Sequence, residues 1–146
     1  MSSTEAVLLD PILRGYEEGW NKGNLAVLDE LLTADFQGHD PSSPTGVVSR
    51  DEVRAILTQI RTAFPDVRRE ALDHVAAADR IAVRWRVTGT HRGTFGNMPP
   101  TGRRIEVTGI TFYRMVAGRI AEEWVQMDAA GLNRQLTDSA PAADGS

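Results

Sequence analysis

The 146-residue chain has no cysteine, which removes disulfides, thiol nucleophiles and thiolate metal sites together. Lysine is nearly missing too: Lys22 is the only one among 16 basic residues, and the rest are arginine. Against 20 acidic residues the formal charge is −4, a mild acidity without the basic stripe of a nucleic-acid binder. Long apolar runs are also absent. Val7-Leu8-Leu9 runs straight into Asp10, and residues 1–5 hold no basic residue, so neither a membrane span nor a signal peptide is expected. The reading is a soluble, cytoplasmic protein. The serines lie near the termini, in Pro41-Ser-Ser-Pro44 or at Ser49, and no G-x-S-x-G occurs, which excludes serine-hydrolase chemistry. His39, His74 and His91 are scattered, with no i,i+4 or H-x-H pair, so no metal site is expected. Gly89, Gly93 and Gly96 match no dinucleotide or phosphate-loop spacing, and no cofactor is implied.

What is present suffices for one core. With 41% hydrophobic and 25% charged residues, the chain reads as a single domain over residues 1–136, followed by a disordered tail over 137–146. Leu9, Ile12, Leu13, Tyr16 and Trp20 recur at helical spacing. Pro11 either opens that helix or kinks one begun near Thr4. Asn24 is placed to cap a short helix bearing Leu25, Leu28, Leu31 and Leu32. Ser49-Arg-Asp-Glu52 is a capping box opening a third helix, with Val53, Ile56, Leu57, Ile60 and Phe64 as its stripe. After Val67 the period changes from helical to alternating. Strands are expected near 67–75, from 81, over 105–116 and over 119–127, with a closing helix at 129–136. Helices followed by a run of strands indicate an α+β fold.

Several segments together carry a family resemblance. They are Tyr16-Glu-Glu-Gly-Trp-Asn-Lys-Gly-Asn24, Phe36-Gln-Gly-His-Asp-Pro41, Ala63-Phe-Pro-Asp66 and Gly89-Thr-His-Arg-Gly-Thr-Phe-Gly-Asn-Met-Pro-Pro-Thr-Gly-Arg103. Gly118-Arg-Ile-Ala-Glu-Glu-Trp124 and Asp128-Ala-Ala-Gly-Leu-Asn-Arg-Gln-Leu136 complete the set. In this order they resemble the SnoaL-like polyketide cyclases of the nuclear-transport-factor-two-like superfamily. The resemblance implies a conical α+β barrel: a curved, mostly antiparallel sheet packed against N-terminal helices around an internal pocket. It also implies a cofactor-free homodimer acting on an apolar, polyketide-type small molecule. Family cyclases of anthracycline precursors use an aspartate on the last strand as acid/base group, and its place here is Val125. The glutamine and histidine they carry on the preceding strand fall on Gly109 and Thr111.

Strand alternation offers replacements. Placing Val125 inward also places Ala121, Glu123 and Met127 inward, so Glu123 becomes a desolvated carboxylate suited to proton transfer at carbon. His91 continues the inward face of Ile81, Val83, Trp85 and Val87. His39 resembles a pocket-lining family position, and either imidazole could serve as base. Asp128 is a further acid/base candidate, although its place at the start of the closing helix suits a cap. Tyr16, Trp20, Phe36, Phe64, Trp85, Met98, Thr111, Tyr113 and Val125 are the candidate substrate wall, with Tyr113 or Thr111 as oxyanion donors. Met98-Pro-Pro-Thr-Gly102 is expected near the pocket mouth. Arg84, Arg86, Glu106, Arg114 and Glu122 alternate to the outer face as a charge ladder. Ile110, Phe112 and Trp124 share that face and suggest a dimer. The expected function is cofactor-independent ring closure on a polyketide-type intermediate. The alternatives are a cofactor-free epoxide hydrolase or hydroxylation component, and a non-catalytic ligand-binding protein.

Overall fold

Leu8, Leu9 and Ile12, which recur on one side of a helix, are the buried positions of α1 (Ser3–Arg14). A computed structural model describes the chain over residues 3–137. Pro11 lies within α1, so the helix starts well before it. The chain continues as a wide π-type helix over Gly15–Asn21, closed by a bond from the Lys22 N–H to the Glu17 carbonyl at 3.0 Å. Asn24 does not cap the next helix. Its amide donates to Glu18 at 3.4 Å, and a turn through Leu25 and Ala26 leads into α2 (Val27–Leu31).

Two strands follow that the sequence pattern does not announce, β1 (Leu32–His39) and the short β2 (Val47–Val48). The capping box forms as expected at α3 (Arg50–Ala63): the Ser49 hydroxyl accepts from the Glu52 N–H and the Glu52 carboxylate accepts from the Ser49 N–H. Then come β3 (Arg68–Ala77), β4 (Arg80–Thr90), β5 (Arg104–Val116), β6 (Arg119–Met127) and α4 (Ala129–Thr137). The expected tail beyond residue 137 lies outside the described residues.

One six-stranded curved sheet runs in the order β2-β1-β6-β5-β4-β3. Its neighbours are antiparallel except β1 and β6, which run parallel. Alternation then sorts the side chains. Ile81, Val83, Trp85 and Val87 of β4 and Ile105, Val107, Tyr113 and Met115 of β5 are buried on the face that α1, the π-helix and α2 cover. A bulge between Arg114 and Met115 opposes Ala121 with no partner, so Ile120 as well as Ala121 is buried. The outer face carries the ion pairs Arg86–Glu70 and Arg114–Glu122 and the exposed Ile110 and Phe112. No helix among the described residues is long and apolar enough to cross a membrane.

Candidate active site

The β5–β6 ladder positions the chemistry. Tyr113 stands opposite Glu123, Thr111 opposite Val125 and Gly109 opposite Met127, all on the concave face. Glu123 is the one carboxylate among the inward positions of β4, β5 and β6 in the described residues. Burial pushes its carboxyl up to about 7; Arg69 pulls it down and Asp40 adds to the rise. No hydrogen bond holds this carboxyl among the described residues, so its proton is not committed to a structural partner. The Tyr113 phenol is raised well above the ordinary value, chiefly by burial, and stays neutral. Its oxygen lies 3.0 Å from that of Tyr16.

Arg69 is the residue that the sequence reading missed. It pairs with Val87 on β3 and is 7% exposed. The Asn21 side chain, ending the π-helix, fixes its backbone from both sides, accepting from the Arg69 N–H at 2.7 Å and donating to its carbonyl at 3.2 Å. The guanidinium lies 4.1 Å from the Trp85 ring and 4.6 Å from the rings of Tyr16 and Trp20. Desolvated cation–π contacts are each worth about 2 kcal/mol, enough to offset part of the cost of burying a charge. Its Nη2 donates weakly to Tyr16 Oη at 3.4 Å and Thr111 Oγ1 at 3.5 Å, while Nε is buried without a partner. Burial lowers its affinity for the proton, but Tyr16, Tyr113 and Glu123 more than reverse this, so Arg69 remains a cation.

Gly109 explains where Trp85 lies. A Cβ there would come within 2.5 Å of Trp85 Cζ2 and 2.7 Å of the Gln126 carbonyl, so the indole rests directly on the glycine backbone. Trp85 Nε1 donates to Thr111 Oγ1 at 2.9 Å. Thr111 therefore anchors the indole and is less a free oxyanion donor than a positioning group.

His91 does continue the inward face and is fully buried. Its Nδ1 accepts from the Thr101 N–H at 3.2 Å, which places the ring proton on Nε2, and that atom has no partner. The ring stacks on Phe64, with centroids 5.4 Å apart, and Phe64 meets Phe95 edge-on. Residues 91–103 are tied to the end of α3 through bonds from the Arg92 and Gly93 N–H groups to the Ala63 carbonyl. Met98 and Phe95 pack on the core from this loop, and Trp20, Val125 and Met127 are likewise partly buried against it. Phe36 is fully in the core on β1.

His39 is corrected. It ends β1 on the outer face, bonded through Nε2 to Glu122 at 2.6 Å and stacked on Trp124, because its register partner is Trp124 and not Glu123. That bond, the largest cause, together with Arg114, holds the Glu122 carboxyl below the usual range. Asp128 is exposed at the start of α4 and accepts from the Gly131 N–H at 2.8 Å, an end-capping geometry. A groove of about 400 Å³ lies between α1, α2 and the β5–β6 turn, lined by Arg14, Glu30 and Arg119 among others, and touches none of the candidates.

A profile of the SnoaL-like polyketide cyclases matches residues 11–136. The chain belongs to this family. It is 26% identical over 141 residues to the aklanonic acid methyl ester cyclase DauD of a Streptomyces species, covering 92% of this chain and 84% of DauD. The structure of IdmH from Streptomyces antibioticus, a candidate polyketide cyclase, superposes with a TM-score of 0.76 at 33% identity, covering 87% of this chain and 96% of IdmH. A SnoaL-like polyketide cyclase of Agrobacterium tumefaciens superposes with a TM-score of 0.71 at 25% identity, covering 88% and 97%.

Proposed function

We propose that the protein is a cofactor-independent cyclase that closes a ring by intramolecular aldol-type chemistry in a polyketide-type intermediate. The observation that carries this is Glu123, a desolvated carboxyl near neutrality, facing Tyr113 across the ladder on the concave side. A base of that strength removes a proton from carbon flanked by two carbonyls. The resulting enolate carbon attacks a second carbonyl of the same molecule. The new carbon–carbon bond leaves an alkoxide, which takes the proton back and restores the carboxylate. Either hydroxyl can donate in the Tyr16–Tyr113 bond; with Arg69 donating to Tyr16 and Tyr16 donating to Tyr113, the Tyr113 O–H is free to meet the developing oxyanion. Tyr16, Trp20, Trp85, Phe64 and Met98 supply apolar walls that fold the flexible chain into a reactive conformation.

The anthracycline-type cyclases have their aspartate and histidine at the positions of Val125 and Thr111, which are opposite each other in the ladder. Glu123 and Tyr113 form the next inward pair. The acid/base pair has moved one inward step along both strands, toward the β5–β6 turn. A paired-carboxylate hydrolase is the second reading: Glu123 is the one inward carboxylate on β4, β5 and β6 among the described residues, and Asp40, following β1, is the other carboxylate that acts on it.

Aklanonic acid methyl ester, the substrate class named for DauD, is the first compound to assay. Glu123→Gln keeps the side-chain shape but cannot transfer the proton, and is expected to slow cyclisation by ~10²–10⁴-fold while retaining ligand binding. Full activity in that variant would overturn Glu123 as the base. We also infer a homodimer through the outer sheet face, where Ile110 is 49% and Phe112 40% exposed beside Trp124.

A further inference from the structure

We propose that Arg69 is the binding site for a planar, delocalised oxyanion: the ligand is bound as the enolate of a β-dicarbonyl or vinylogous acid. This rests on the cyclase reading and names the chemical class of its substrate. Arg69 is buried, yet no carboxylate lies within ion-pair distance of it among the described residues, although ten such pairs are formed elsewhere. A guanidinium carries five N–H donors in a rigid plane. Here only Nη2 has partners, both long, and the Nε–H is sealed from solvent with none. A buried cation left this unsatisfied is costly unless a ligand completes it.

The surroundings say what kind of ligand. Tyr16, Trp20 and Trp85 surround the guanidinium with apolar aromatic groups, so a ligand that reaches it leaves water, which favours an organic anion with delocalised charge over a strongly hydrated phosphate or sulfate. The Asn21 clamp holds the Arg69 backbone and the three rings hold its guanidinium, so the fork of donors is pre-positioned and not recruited by movement. Glu123 is coupled electrostatically to Arg69 and makes no direct pair with it. A base beside a fixed, unpaired cation is the arrangement in which deprotonating an acidic C–H creates the partner that the cation lacks. Negative charge moves from the carboxylate to the ligand oxygens at Arg69.

The test uses binding and not turnover. The probes are 2-hydroxy-1,4-naphthoquinone, a vinylogous acid ionised at neutral pH, and its neutral methyl ether of nearly equal area. Binding to the full chain at pH 7.5 is read by tryptophan quenching and by titration calorimetry. The anion is expected to bind at least tenfold more tightly than the ether. Arg69→Met should bring the ratio to about one, and Arg69→Lys should retain part of it, with circular dichroism confirming that both variants fold. Should Arg69→Met not fold, Arg69→Gln, which keeps hydrogen-bonding capacity without the charge, carries the decision, and its ratio should likewise fall to about one. Equal affinities, no binding of either probe at millimolar concentration, or a preference that survives in Arg69→Met would overturn the proposal. Glu123→Gln should keep the anion preference. If that variant keeps both its preference and full cyclisation activity, the acid/base reading fails while the anion site stands.

Discussion

Glu123 can be tested without any substrate, through the pH dependence of stability. In the unfolded chain its carboxyl titrates near the ordinary 4.5, and in the folded chain near 7. The folded protein therefore binds the proton more tightly, and stability falls as pH rises from about 4.5 to about 7 and is level above. At about 1.4 kcal/mol per tenfold change in proton affinity, the full effect is about 3 kcal/mol. Partial exposure of the residue screens some of this, which sets the expectation between about 1 and 3 kcal/mol. Glu123→Gln removes the titration and leaves every other group in place. Urea unfolding of both proteins at pH 5 and pH 8 isolates the contribution by difference, because the remaining carboxylates and histidines cancel. The glutamine variant should gain little at pH 5 and about 1–3 kcal/mol relative to the parent at pH 8. A difference that does not change between the two pH values would refute the desolvated carboxyl, and with it the physical basis for a base poised near neutrality.

Gly109→Ala should destabilise the protein by more than about 2 kcal/mol and alter tryptophan fluorescence, since the added Cβ meets both the Trp85 ring and the Gln126 carbonyl. Wild-type fluorescence and urea midpoint would show that Trp85 does not rest on Gly109. Ala117→Asn should stabilise by about 0.5–1 kcal/mol, because Ala117 and Gly118 both have positive φ (51° and 78°), where alanine is strained and asparagine is tolerated; an unchanged urea midpoint contradicts this. Phe112→Glu should leave the fold intact and convert a dimer to a monomer in sedimentation at micromolar concentration; a wild-type monomer would remove the outer face as an interface.

The fold was legible where one period ran unbroken. β4 and β5 alternate cleanly, and the capping box carries its own local chemistry. β1 was not legible. Leu32-Thr-Ala-Asp-Phe-Gln-Gly-His39 continues the leucine run of α2, is short of β-branched residues and gains its strand geometry from pairing with β6. With that strand unseen, His39 had no assignable face, and its candidacy as a base rested on the family resemblance and not on parity. Glu123 was legible because parity along β6 alone decides it, and the bulge at Ala121 lies before it and not after.

Arg69 shows the opposite case. Arg68-Arg69-Glu70 reads as a solvated charge run, and charged residues are almost never fully buried without a partner. The one signal was parity: Val67 and Ala71 flank it at two-residue spacing, and Val67 is buried. Parity cannot by itself override the cost of burying a guanidinium. That cost is met in part by Tyr16 and Trp20 from the π-helix and Trp85 from β4, which come together only in the folded chain. The widened turn of the π-helix matters here, since it sets Tyr16, Trp20 and Asn21 to converge on one β3 residue. Gly109 matters equally, because any side chain there would lift Trp85 off the sheet. Two features that look like local departures, a helix of the wrong pitch and a glycine in mid-strand, are thus what make a buried cation tolerable beside the carboxyl of Glu123.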